Sequence, residues 1–145
     1  MPIKNYPFIG FFPDAPLRPM VTIRITNPDT GFSVNTYGLI DTGADDCAVP
    51  ASFARVLGHD LMAGKSKRIQ TGNGVTVAYS HTCTIDIFDA HQLENNTLKI
   101  AYTMSETLID FMPNLHCVLI GTESFLNQFV LSIDYPAKTF SIRKP

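Results

Sequence analysis

The triplet Asp41-Thr42-Gly43 is the part of this sequence whose residue types and order could do chemistry. It follows directly on the apolar pair Leu39 and Ile40, so the carboxylate leaves a buried strand at a sharp loop where glycine lets backbone or ligand approach closely. A carboxylate held in this way can serve as a general acid or base. Alone the triplet is weak: roughly one chain in thirty of this length contains it by chance at average residue usage, and Asp before Thr-Gly is also a common capped turn. The other reactive side chains form no recognised pattern. Cys47, Cys83 and Cys117 lie far apart, lack a CxxC spacing and are odd in number, which reads as reduced, buried thiols. Cys47 in particular reads as a small residue filling the core behind the loop rather than as a redox-sensitive thiol. His81, His91 and His116 with Asp86 and Asp89 fit no ligand spacing, so no metal is expected. Neither a Gly-x-Ser-x-Gly elbow nor a phosphate loop is present, and no cofactor is called for.

The elements that must position Asp41 can be read on both sides of it. Met20 to Thr26 alternates, with Val21, Ile23 and Ile25 on one face and Thr22, Arg24 and Thr26 on the other, as a half-buried strand does. A turn over Asn27 to Gly31 follows, and Val34 to Ile40 returns as the strand that delivers the chain to Asp41. Pro50 to Leu57 predicts a short helix, with Gly58 placed as its C-terminal cap. Lys67 to Phe88 is the longest strand-like tract, and Thr71-Gly72-Asn73-Gly74 within it is expected to supply the positive-φ residues of a tight hairpin. Further strands are expected over Leu98 to Met104, Cys117 to Ile120, Phe129 to Ile133 and Thr139 to Ile142, with a helical turn or two over Ser124 to Gln128. The count predicts a mostly β barrel or sandwich-like domain.

A chain of 145 residues with 45% apolar content buries one substantial core. The expected organisation is a proline-rich N-terminal arm over 1–19, extended and packed on a surface, and a single domain over 20–145. Eleven Lys and Arg against 13 Asp and Glu give no footprint for nucleic acid or an anionic membrane. No stretch approaches the roughly 20 apolar residues of a membrane span, so a soluble, cytoplasmic protein is expected. The sequon Asn95-Asn96-Thr97 is read as chance.

Two separated motifs carry a family resemblance. Gly38 to Asp46, which reads Gly-Leu-Ile-Asp-Thr-Gly-Ala-Asp-Asp, resembles the catalytic loop of retroviral proteases and their cellular and bacterial relatives. Val118-Leu-Ile-Gly121, followed by Thr122 to Phe129, resembles the same family's hydrophobic-hydrophobic-glycine signature and C-terminal helix. Phe129 to Ile142 looks like the closing hairpin of the bacterial members, to which the pattern is nearest. The resemblance spans about Val21 to Ile142 and implies a mostly β, single-domain retropepsin-like acid-protease barrel with one or two short helices, acting as a homodimer.

That resemblance also implies roles. Each subunit gives one Asp41, and two facing carboxylates cannot both ionise easily, so they share a proton, aspartic proteases being the standing example of this coupling. The ionised member takes a proton from a water held between them, and the protonated one hydrogen-bonds the scissile carbonyl. Thr42 is implied to hydrogen-bond across the dimer, with Gly43 completing the catalytic triplet. Substrate contacts are implied for Ala44, Asp45 and Asp46, and for Thr71, Gly72, Asn73 and Gly74 as a mobile flap over an extended peptide. The terminal strands are implied to share a dimer sheet. The expected activity is aspartic endopeptidase, falling as pH rises through neutrality; the alternative is a silent peptide-binding or dimerisation module on the same fold.

Overall fold

The structure, a computed structural model, describes residues 2–145, with Pro2 through its backbone alone. β1 (Pro2–Pro7) and β2 (Met20–Thr26) are joined by a segment that folds back on itself where Ile9 and Arg18 bridge. β2 buries Val21, Ile23 and Ile25 completely, as its alternation predicts. It pairs antiparallel with β3 (Ser33–Ile40) from Met20 opposite Leu39 to Thr26 opposite Ser33. The turn between them is closed by Gly31 N–H donating to the Asn27 carbonyl at 2.8 Å.

After the Asp41 loop come β4 (Ala48–Pro50) and α1 (Phe53–Leu57), the latter capped by Gly58 at φ 76°. β5 (Lys65–Thr71) and β6 (Gly74–Glu94) form the hairpin, followed by β7 (Thr97–Met112), β8 (Val118–Ile120), a single 3-10 turn over Leu126–Gln128, β9 (Val130–Asp134) and β10 (Thr139–Arg143). β6 is the organising strand. Its start pairs with β5, its middle with β2 from Thr84 to Ile87, and most of its length with β7. The order β2-β3-β8-β4-β7-β6, with β2 also paired to β6, brings the sheet back onto itself. A second sheet has the order β1-β10-β9.

One apolar cluster fills the interior, drawing Ile23, Ile85, Phe111, Ile120 and Phe125 from the large sheet and its loops and Phe140 and Ile142 from the small one. Each such side chain stabilises the fold by about 1.5–3 kcal/mol on burial.

Three of the departures from the sequence reading concern the first strand, β7 and the hairpin. The first residues form a strand that pairs with β10, and Ile3, Tyr6 and Phe8 are buried in the main cluster. Proline is tolerated there because β1 pairs on one side only. β7 runs on past Met104 to Met112, carried across the polar stretch Ser105-Glu106-Thr107 by an irregularity with Glu106 at φ 38°. In the hairpin only Gly74 has positive φ, at 107°; Gly72 and Asn73 do not.

Candidate active site

β3 and β8 run parallel, Gly38 beside Val118 and Ile40 beside Ile120, so both end together. The chain leaves β3 as Asp41, whose N–H donates to the Ile120 carbonyl at 3.1 Å. Gly43 N–H donates to Asp41 Oδ1 at 2.9 Å, fixing the half-buried carboxylate in a small ring closed by its own loop. Among the described residues Oδ2 accepts no hydrogen bond. Thr42 is exposed, and among the described residues its hydroxyl has no partner.

The loop is braced from the end of β8. Thr122 donates to the Ala44 carbonyl through its N–H at 2.8 Å and its hydroxyl at 3.1 Å, and Glu123 N–H donates to the Asp45 carbonyl at 2.7 Å. Gly121 makes this approach possible: a Cβ there would lie 2.6 Å from the Asp46 carbonyl oxygen and 2.9 Å from that of Ala44.

Asp46 is held by its own network. Oδ1 accepts from Ser124 Oγ at 3.3 Å, and Oδ2 lies 3.0 Å from Lys67 Nζ. The same ammonium lies 2.8 Å from Oδ2 of the buried Asp110, whose Oδ1 accepts from Ser80 Oγ at 3.1 Å. Burial opposes the charge on Lys67, but the hydrogen bonds to Asp110 and Asp46 outweigh it and hold its pKa above the ordinary lysine value. Burial pushes the Cys47 thiol up, and likewise that of Cys117, which lies within electrostatic reach of Arg18 and Asp41.

A cleft of about 590 Å³ joins these parts. Asp41, Gly43, Ala44, Asp45 and Asp46 line it together with Thr71 and Gly72 of the hairpin, so the structure brings two separated sequence segments to one cleft. Thr42, Asn73 and Gly74 lie outside its lining. Lys67 and Asp110 line it as well, and sequence reasoning missed both. The signal for Asp110 was present, since an acid inside the apolar run Leu108-Ile109-Asp110-Phe111 must find a partner.

Of the residues considered for a metal, Asp86, Asp89 and His81 have other attachments. Asp86 accepts from Arg24 at 2.7 Å and from Thr103 at 2.7 Å, while Asp89 accepts from the Tyr6 hydroxyl and from His91 N–H. His81 is half-buried against His59 and Phe111, with Nε2 2.9 Å from the Leu61 carbonyl.

No protein-family model and no curated protein matches the chain. Among solved structures it is similar to a retropepsin-like aspartic protease from Rickettsia conorii, with a TM-score of 0.53 and 24% identity over 86% of this chain and 91% of that one. This chain has the retropepsin-like fold. In it, the retropepsin-like barrel is the ring built around β6, and the Asp41 loop and the β5–β6 hairpin both line one cleft. No helix among the described residues is long and apolar enough to cross a membrane.

Proposed function

We propose that the chain is an aspartic endopeptidase of retropepsin type that works as a homodimer, with Asp41 of each copy activating one water. The observation that carries this reading is the convergence of Asp41, Gly43, Ala44, Asp45, Asp46, Thr71 and Gly72 on one cleft within a retropepsin-like fold. The Gly43 amide on Oδ1 orients the carboxylate and leaves Oδ2 for water or substrate. The exposed Thr42 hydroxyl is available to bond across a two-fold axis.

In this reading an extended peptide lies along the cleft with the hairpin over it, and Asn73 and Gly74 move onto the substrate when the ribbon closes. Residues 20–145 make the peptidase domain, and 1–19 an arm whose first strand packs against it. In β10 both edges are already taken by β1 and β9. A terminal sheet shared between copies therefore grows from the outer edge of β1 or β9, or by exchange of β1. The half-exposed thiol of Cys117 and the unpaired buried ones suit a reducing, cytoplasmic setting.

The decisive experiment incubates the dimeric protein with a diverse peptide library from acidic to neutral pH, with and without pepstatin, beside Asp41→Asn, and maps cuts by mass spectrometry. Cuts that vanish in Asp41→Asn while the dimer persists are expected. Undiminished cleavage by that variant ends the proposal, and a wild-type dimer that cuts nothing favours the binding-module alternative.

A further inference from the structure

We infer that Lys67 is a positioning residue of this cleft, a charged pivot that fixes the β5–β6 ribbon relative to the Asp41 loop and whose contact to Asp46 is the one that opens. The effect on turnover rests on the peptidase reading; the effect on the ribbon does not.

Beyond Lys67 the ribbon pairs only with itself, from Arg68 opposite Val77 to Thr71 opposite Gly74, because contact with β7 begins at Tyr79 opposite Phe111. A two-stranded ribbon is marginal in water by itself. Its apolar residues hold it weakly: Val75 and Val77 are 55% and 40% exposed, and Ile69 is only half-buried against Ala48, Ala78 and Met112. Lys67 sits where the ribbon leaves the sheet, opposite Ala78. Its Nζ reaches Asp110 on β7 at 2.8 Å and Asp46 in the Asp41 loop at 3.0 Å. Among the described residues the other ion pair is Arg24–Asp86, on the far part of β6.

The two contacts differ in how easily they break. The Asp110 side chain is 7% exposed, so leaving it without its cation strands a buried charge. Asp46 and Lys67 are both 40% exposed, and water can replace either partner at little cost. Lys67 therefore stays with Asp110 while the ribbon swings, and the Lys67–Asp46 contact closes when the ribbon lies over the loop. Because Asp46 is five residues beyond Asp41 and is braced by Ser124, the closed contact sets the height of the ribbon against the same loop that carries Asp41.

Hydrogen exchange on the full chain without substrate tests the pivot. In Asp46→Asn, which leaves Asp110 paired, amides of residues 68–77 are expected to exchange about fivefold faster, the most an exposed pair of this kind confers, while β2 and β3 amides are unchanged. One molar salt is expected to speed exchange of the wild-type ribbon and leave that of Asp46→Asn unmoved. Lys67→Arg is expected to stay near wild type, and Lys67→Met to show the faster ribbon if it folds. Unchanged ribbon exchange in Asp46→Asn overturns the inference. With a cleaved peptide, Lys67→Met is expected to raise KM several-fold with kcat within about twofold, and Lys67→Arg to restore it. If the wild type cuts nothing, the peptidase reading falls, and exchange alone decides the pivot.

Discussion

Thr122 places both its backbone amide and its hydroxyl on one acceptor, the carbonyl oxygen of Ala44, at 2.8 and 3.1 Å. The loop after β8 thereby holds the loop after β3 in register, and the Asp41 loop takes its position from a residue 78 positions beyond Ala44.

Thr122→Val keeps the shape and the amide bond but removes the hydroxyl, with an expected loss of about 1 kcal/mol in urea unfolding. Gly121→Ala is expected to do worse, about 1–3 kcal/mol, because its methyl meets two carbonyl oxygens that cannot turn aside. Peptide cleavage, where present, should fall further in Gly121→Ala than in Thr122→Val, since the first displaces the Asp41 loop itself.

Acid should weaken the fold through His59. Burial, then the neighbouring charge of His81, holds its pKa below the ordinary histidine value, with Asp29 opposing. Its ring packs on His81 and Phe111, and its Nε2 lies 3.5 Å from the Cys83 sulfur. A depressed histidine contributes stability that is complete above the unfolded value of 6.5 and is lost as pH falls through the folded value. Urea midpoints measured downward from pH 7 should drop in the wild type and drop less in His59→Gln.

Alkali should act through Cys83, whose thiol burial pushes up from 9.0 to about 12. Between those values the unfolded thiol ionises and the folded one does not, so stability falls as pH rises from about 9 to about 12. Cys83→Ala is expected to flatten that decline by up to one proton. In the native protein a thiol reagent should modify the half-exposed Cys117 and spare Cys47 and Cys83.

Tyr6→Phe tests whether β1 belongs to the fold. The hydroxyl donates to the buried carboxylate of Asp89, and its loss leaves that group with the His91 amide. The expected cost is about 1.5–3 kcal/mol in denaturant unfolding.

Thr42→Val separates assembly from folding. The side chain is exposed in the single chain, so the monomer's unfolding midpoint should not change. If Thr42 bonds across the two-fold axis, sedimentation should show dimer affinity reduced about tenfold.

How much of this was legible in the residues depends on the range of the interaction. β2, the helix ended by Gly58 and the Asp41 loop announce themselves through alternation, a cap and a local motif, all within a dozen residues. The continuation of β7 was hidden because Ser105-Glu106-Thr107 looks like a break, and only the irregular register opposite Cys83 to Ile85 shows how the strand survives it. β4 was missed because three residues carry no period. Lys67, Asp46 and Asp110 are remote in sequence and meet only when three strands and a loop are in place, so only the odd acid in an apolar run pointed to them. The proline-rich start read as an arm because prolines hide a strand's pattern, although Ile3, Tyr6 and Phe8 were already apolar.

The pairing of β1 with β10 also sets an order in time. Residues 2–7 leave the ribosome well before their partners at 139–143 are made. Until then the side chains of Ile3, Tyr6 and Phe8 lack their neighbours Phe140 and Ile142, and such a segment is open to wrong pairing and to chaperones. Closure of the small sheet must then be a late event in folding, and the high sequence separation of its contacts places the chain with slowly folding β proteins. A released chain truncated before residue 139 should therefore hold a formed ring and a protease-sensitive N-terminal strand.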